Sequence, residues 1–357
     1  MQYKRLEINL ESILNNLTYF KGLSSQKMIF IAKSNCYGHG LKQVVDKVKN
    51  VVDYFAVINL EDAIYIRRMG IDKPILRMAN VKPNDIIKIV DFDITQAILS
   101  LEDLAILTNG SKKLGCKINA HLKIDTGMNR QGLLFTGDNY EEILQAFNTK
   151  NIVINGLYTH FSCADDKYNQ NNLIQYKRFL SVKDYLVKRG IDVGLTHVAN
   201  TNALINLPYV KERAYRVGIG AYGTVGGETN LPLKAAMRFS SKIVQIKDVI
   251  NNYVGYGATP VAGVTRIGVV PVGYFDGVMQ FTTDFSVKIN NAPARVLGKV
   301  CMNHLMVDLS NVCCQVGDEA VFFENSYEMY NYAMCQGLSV YQVECLLGQN
   351  AKPVYIG

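Results

Sequence analysis

A lysine closes an apolar run in this chain, Met28-Ile29-Phe30-Ile31-Ala32-Lys33. An ammonium group among apolar neighbours is costly, so its pKa is expected to fall and its amine to become nucleophilic. A lysine that forms a Schiff base needs this property. Taken alone, the signal is weak, because a lysine at a strand end is usually a surface cation whose stem packs on the strand. Other residues add to the first reading. Tyr37-Gly38-His39-Gly40 offers a phenol donor and a backbone open to close approach. Thr201 follows His197-Val198-Ala199-Asn200 and places a hydroxyl near an expected helix N-terminus, while Gly218 and Ile219 follow a strand-like run and offer backbone N–H groups. Together they suit a phosphate at the late end of a barrel, although each has an ordinary reading as a turn or cap.

Positioning such groups requires a scaffold, and the hydrophobic pattern supplies one. Apolar runs alternate with amphipathic stretches such as Gln175 to Arg189. Strands are expected at 28–32, 54–58, 74–78, 96–99, 118–124, 154–158, 195–198 and 215–219. Strand–helix alternation implies a parallel sheet, and eight such strands suit a (β/α)8 barrel over residues 11–234. A doubly wound open sheet is the alternative. After about residue 235 the runs follow one another without helices, at 241–246, 266–270, 285–289 and 319–323. Turn residues such as Asn290-Asn291-Ala292-Pro293 separate them. A mainly β domain is expected over 235–357, with the alternating segment 1–10 joined to it. The fold class is thus α/β, a barrel followed by a β domain.

Composition narrows the function classes. The 357 residues suggest about two domains at roughly 100–200 residues each. The charge of +7 is scattered, with no Lys/Arg block, so no nucleic-acid partner is expected. No apolar run approaches the roughly 20 residues of a membrane span, and no signal peptide is read at Met1-Gln2-Tyr3-Lys4-Arg5. Eight cysteines without a CxxC pair or zinc-ligand spacing read as reduced thiols. A cytoplasmic location is expected, alone or as the cytoplasmic domain of a larger membrane protein, and no metal site.

The chain resembles the alanine racemase family over essentially its whole length. The resemblance rests on Ala32-Lys33-Ser34-Asn35-Cys36-Tyr37-Gly38-His39-Gly40, on His121-Leu122-Lys123-Ile124-Asp125-Thr126-Gly127-Met128-Asn129-Arg130 and on Thr159-His160-Phe161. It continues through His197-Val198-Ala199-Asn200-Thr201-Asn202, Arg216-Val217-Gly218-Ile219, Gly255-Tyr256-Gly257, Val270-Pro271-Val272-Gly273-Tyr274-Phe275-Asp276-Gly277 and Cys301-Met302-Asn303-His304. The resemblance implies pyridoxal 5'-phosphate as cofactor, in Schiff-base linkage to Lys33. Lys33 and Tyr256 would be the two catalytic bases on opposite faces of the substrate, with Tyr256 supplied by the partner subunit of a head-to-tail homodimer and assisted by His160. A racemase needs such a pair, because one group removes a proton and another delivers it to the other face. Arg216 would face the pyridine nitrogen, and because a guanidinium stays protonated it would weaken the electron sink and suppress side reactions. Arg130 would contact the cofactor, oriented by Lys123 as a carbamate. Tyr37, Thr201, Gly218, Ile219 and Tyr274 would hold the phosphate, and Arg130 and the Met302 N–H would meet the substrate carboxylate.

Three departures concern the substrate pocket and its entrance. The usual Cys-Met-Asp-Gln reads Cys301-Met302-Asn303-His304, and the arginine ahead of it is Lys299. The tyrosine expected before the closing Arg-x-Pro is replaced by Gln349 or Asn350. An asparagine at Asn350 resembles the vancomycin-resistance serine racemases of the same family. It implies serine alongside alanine as substrate, although added room discriminates by only about 1–3 kcal/mol per methylene. The role implied is supply of D-amino acids for peptidoglycan precursors. Two other classes compete: a pyridoxal phosphate-binding protein that does not racemise, and a pyridoxal phosphate-dependent decarboxylase. The first lacks the second domain with Tyr256 and Met302, and the second is expected to carry glutamate where Arg216 stands.

Overall fold

A computed structural model describes residues 3–225, 230–280 and 284–357. The chain separates into two compact units. One comprises residues 17–33 and 45–218, and the other comprises 1–16, 34–44 and 219–357.

The first strand, β1 (Arg5–Asn9), is followed by α1 (Leu10–Gly22) and then by the barrel strands. These are β2 (Lys27–Ile31), β3 (Tyr54–Val57), β4 (Ile75–Arg77), β5 (Thr95–Ile98), β6 (Ile118–Asp125), β7 (Ile152–Tyr158), β8 (Leu195–His197) and β9 (Ala214–Val217). The intervening helices are α2 (Leu41–Val48), α3 (Leu60–Arg68), α4 (Ile86–Asp91), α5 (Leu101–Leu114), α6 (Tyr140–Phe147), α7 (Gln170–Lys188) and α8 (Thr201–Asn206). Each barrel strand pairs in parallel with the next, and β9 returns to β2 with Arg216 opposite Ile29, which closes the ring. The open-sheet alternative is thereby excluded. Burial explains the closure: the apolar runs are buried on both faces, as in Met28 to Ile31 and Phe55 to Val57, and parallel strands covered on both faces read as continuous apolar segments. All eight expected strands are present, with shifts of one or two residues at their ends.

The second unit is built on a nine-stranded sheet. Its further strands are β10 (Met237–Lys242), β11 (Gln245–Asp248), β12 (Arg266–Val270), β13 (Ser286–Ile289), β14 (Ala292–Leu297), β15 (Leu305–Asp308), β16 (Glu319–Phe323) and β17 (Pro353–Ile356). The spatial order is β11-β12-β15-β14-β13-β16-β10-β1-β17. β1 lies antiparallel to β10 and parallel to β17, with Leu6 opposite both Phe239 and Pro353. The single strand expected at 241–246 is instead two. Ile243 donates to the Asp318 carbonyl and Val244 to that of Val269, so the chain bends there to change neighbours. Two helices close the unit, α9 (Ser326–Cys335) and α10 (Val340–Asn350). Among the described residues no helix is long and apolar enough to cross a membrane.

The β13–β14 hairpin shows how local chemistry sets register. Ile289 pairs with Ala292, which leaves a two-residue loop, and both Asn290 (φ 48°) and Asn291 (φ 65°) occupy the left-handed region. Two-residue hairpins favour this geometry because it matches strand twist, and asparagine tolerates it. Replacing Asn291 with glycine should leave stability equal or slightly raised. Asn291→Val should lower it by about 1–2 kcal/mol, as measured by urea unfolding.

Candidate functional site

Within the barrel unit, polar side chains gather at the C-terminal ends of the strands, the end at which barrels carry their sites. Arg216 in β9 is the hub. Its guanidinium is buried, and it donates to the carbonyls of His197 (2.8 Å), Val198 (2.9 Å) and Thr159 (2.9 Å). It also reaches Nδ1 of His197 at 2.7 Å and Nδ1 of His160 at 3.1 Å. A guanidinium has no acceptor, so both Nδ1 atoms must accept, and both imidazoles carry their proton on Nε2. His197 Nε2 then faces Nδ1 of His121 at 3.0 Å, and the donor direction runs from Arg216 through His197 to His121. The His197 ring stacks on Tyr158, with centroids 4.6 Å apart.

The electrostatics agree with these protonation states. Burial, then the positive charge of Arg216, holds His197 well below the usual imidazole range. His160 is held down by burial, then by Arg216, Arg130, Lys123 and Lys33. Burial lowers His121 to about 4. It also lowers Arg216 to about 10, which leaves the guanidinium charged at neutral pH. Lys123 in β6 is buried and falls to about 8, chiefly by burial, then through Arg130 and Arg216, against an opposing pull from Asp125. Four of the residues singled out in the sequence, Lys33, Lys123, Arg130 and Arg216, therefore lie within electrostatic reach of a fifth, His160.

Other side chains hold this group in place. The Asp125 carboxylate accepts from the backbone N–H groups of Gly127, Met128, Asn129 and Arg130, at 2.9, 2.9, 3.2 and 3.2 Å. It thereby folds the loop that presents Arg130. Thr201 opens α8 behind the cap residue Asn200, whose side chain accepts from the Ala203 N–H at 2.9 Å. The Thr201 hydroxyl oxygen accepts from the Gly218 N–H at 3.3 Å, so these two candidate phosphate donors are adjacent. Lys33 lies two residues past β2 and is half-buried. The backbone then enters a left-handed turn: Ser34, Asn35, Cys36 and Tyr37 have φ of 53°, 53°, 53° and 55°.

The second unit carries the remaining candidates. Tyr37 is buried, its ring 5.2 Å from that of Tyr222 and 6.3 Å from that of Tyr341. Burial, then Tyr341 and Glu344, raises its pKa, so the phenol keeps its proton. Ile219 opens a buried turn, Ile219–Tyr222. Tyr256 is 65% exposed between Gly255 (φ 61°) and Gly257 (φ 76°). Tyr274 and Phe275 donate their backbone N–H groups to the carbonyls of Cys301 and Met302, both at 3.0 Å, so the Tyr274 turn and the exposed Met302-Asn303 segment form one cluster. Asn350 is exposed at the end of α10.

His121, His197, Tyr158 and Asp125 carry no role in the expectations drawn from the sequence. The two histidines stand in quoted motifs, but 76 residues separate them, and only the pairing of β6, β7 and β8 joins them. One local signal existed in Gly156. A β-carbon there would stand within 3.0 Å of the His121 ring, so the glycine marks where that ring lies.

A closed eight-stranded barrel, a following β domain and a buried arginine among imidazoles define a narrow class. A family model for the alanine racemase N-terminal domain matches residues 8–225, and one for the C-terminal domain matches residues 236–355. Alanine racemase 2 of Caldanaerobacter subterraneus subsp. tengcongensis is 33% identical over 329 residues, covering 89% of this chain and 85% of that protein. Alanine racemase of Methanococcus maripaludis is 30% identical over 365 residues, covering 98% of each. The structure of alanine racemase from Clostridium difficile 630 superposes with a TM-score of 0.91 at 29% identity, covering 100% of this chain and 96% of that one. The chain belongs to the alanine racemase family, a pyridoxal phosphate-dependent family.

The buried histidines make stability depend on pH. His121 stays neutral in the fold down to about pH 4, whereas an unfolded imidazole takes up a proton near pH 6.5. Acid therefore favours the unfolded chain between those values, and stability is lost as pH falls through that window. His121→Asn should be less stable at pH 7. It should also lose about 2–3 kcal/mol less than the parent on going to pH 4.5, as read by urea unfolding at both pH values.

Proposed function

We propose that this protein is an amino-acid racemase that interconverts the L and D forms of alanine and of serine. The observation that carries this reading is Arg216, held by carbonyls and neutral imidazoles on a strand that pairs directly with the strand leading to Lys33. A decarboxylase of this architecture is expected to present a carboxylate where Arg216 stands. Loss of the whole second unit, expected of a binding protein that does not racemise, is not seen: its sheet carries the loops of Tyr256 and Met302.

The residues fit pyridoxal phosphate. Lys33 offers an amine, Arg216 a fixed donor for a ring nitrogen, and Thr201 with the Gly218 N–H a paired set of phosphate contacts. Tyr37, Ile219 and Tyr274 complete the phosphate set in this reading, and Arg130 meets the phenolic oxygen. When bound, the cofactor supplies the electron sink. Lys33 moves a proton on one face of the substrate and Tyr256 on the other. His160, with Nε2 carrying its proton, is the hydrogen-bond partner of Tyr256. The exposure of Tyr256 suits a residue donated to a second copy of the chain in a head-to-tail homodimer. Arg130 and the Met302 N–H take the substrate carboxylate, with Asn303 altering the charge beside it. Lys123, with a pKa near 8, has a neutral amine available to carbon dioxide and so suits a carbamate that orients Arg130. The product serves peptidoglycan precursors in the cytoplasm.

Purified protein supplied with pyridoxal phosphate should show the absorbance of lysine-bound cofactor and racemise both amino acids. Absence of that band ends the proposal. Lys33→Ala and Tyr256→Phe should each be inactive alone. If each site takes Tyr256 from the partner, unfolding and refolding the two variants together should restore activity through hybrids with one intact site. Failure of complementation between folded dimers refutes the shared site. Asn350→Tyr should shift kcat/KM from serine toward alanine by about tenfold, since one well-placed contact is worth about 1–2 kcal/mol. An unchanged ratio removes the case for serine.

A further inference from the structure

Helix α10 touches two of the loops named above. On one side, Tyr341, Glu344 and Gly348 lie three and four residues apart and so share a face. The Tyr341 ring is 6.3 Å from that of Tyr37. At Gly348 the helix meets the backbone of Gly38 directly. A β-carbon on Gly348 would stand well under 3.0 Å from the Gly38 carbonyl oxygen and Cα, and one on Gly38 would stand 3.1 Å from the Gly348 Cα. Gly38 also has φ of 85°, where any other residue would be strained. Two glycines thus meet backbone to backbone with no side chain between them to yield. On its other side, α10 meets the end of the Tyr274 turn: a β-carbon on Gly277 would be 3.4 Å from the Leu346 Cβ. Two residues beyond Gly348 stands Asn350.

We propose that Gly348 is a positioning residue, and that the Gly38–Gly348 contact sets both the hold of the Tyr37 loop on the cofactor phosphate and the placement of Asn350 beside the substrate side chain. The inference rests on the racemase reading above. Its content is that phosphate affinity and amino-acid preference change together when α10 moves. Only Gln349 separates Gly348 from Asn350 within α10, so a side chain at Gly348 displaces both the loop and the helix end.

The test is Gly348→Ala in the full chain. The apoprotein is titrated with pyridoxal phosphate by absorbance, and the loaded enzyme is assayed on alanine and serine. Misplacement by about 1 Å costs on the order of a hundredfold in favourable cases. The expected result is a cofactor Kd raised on the order of tenfold, with KM raised for both substrates more than kcat falls, and an altered alanine-to-serine ratio. Met329→Ala, which empties a buried apolar position on the neighbouring helix α9, should lower the thermal midpoint and leave the cofactor Kd in place. A folded Gly348→Ala protein with unchanged Kd and unchanged ratio overturns the proposal. Should that variant not fold, hydrogen exchange on the parent decides: cofactor addition should slow exchange in 340–350 together with 34–44, and no change in 340–350 overturns it. Failure of the parent to bind the cofactor refutes the racemase reading. A parent that binds it, with normal Gly348 variants, refutes this inference alone.

Discussion

The left-handed turn after Lys33 is the constraint on which the candidate site depends. Four successive residues without a glycine, Ser34 to Tyr37, occupy a region that costs roughly 1–2 kcal/mol per residue. The turn must be held by what surrounds it. Its own bonds contribute: Gly38 donates to the Ser34 carbonyl (3.1 Å), Gly40 to that of Asn35 (3.0 Å) and His39 to that of Cys36 (3.0 Å). The Asn35 side chain accepts the Leu41 N–H at 2.7 Å and so ties the turn to the first residue of α2. His39 is fully buried, stacked on Tyr222 at 4.2 Å, with Nδ1 at 3.1 Å from the carbonyls of Cys36 and Tyr37. Packing of this kind lets an unfavourable backbone persist. A right-handed continuation after Lys33 would send Tyr37 in a different direction.

The second constraint is the way Arg216 is satisfied. A buried guanidinium usually calls for a carboxylate, because an unpaired buried charge is expensive. Its described hydrogen bonds go instead to three carbonyls and two imidazoles. That choice keeps the charge undiluted by an ion pair and forces both histidines into one tautomer. It also adds to burial in keeping His160 neutral, since a cation at 3.1 Å opposes its protonation. A single buried arginine thereby sets the proton positions of its neighbours.

Much of this was legible in the sequence, and the gaps have physical causes. The barrel strands were readable because strands buried on both faces must be apolar throughout, whatever their partners. The β13–β14 turn was readable because paired asparagines tolerate positive φ. The left-handed turn was not readable, because Cys36 and Tyr37 have no intrinsic preference for it and tertiary packing imposes it. The histidine relay was hidden for a different reason: His121 and His197 meet only after β6, β7 and β8 are in register. Asp125 gave no warning either, since one aspartate caps many loops and only the folded loop shows it collecting four amides. The role inferred for Gly348 lies further out of reach, because its necessity comes from Gly38, some three hundred residues earlier in the chain.

These observations converge on charge. Lys33, Lys123, Arg130 and Arg216 all press on His160, and the nearby carboxylate of Asp125 is already engaged by loop amides. Like charges gathered at one barrel end raise the energy of the protein, and taking in an anion lowers that energy. A phosphate and a substrate carboxylate are both anions, and conversion of Lys123 to a carbamate would turn one of the four cations into another. An anion that binds the fold and not the unfolded chain stabilises the fold in proportion to its affinity. The cationic cluster, costly in itself, thus becomes the means by which anion binding would stabilise the barrel unit.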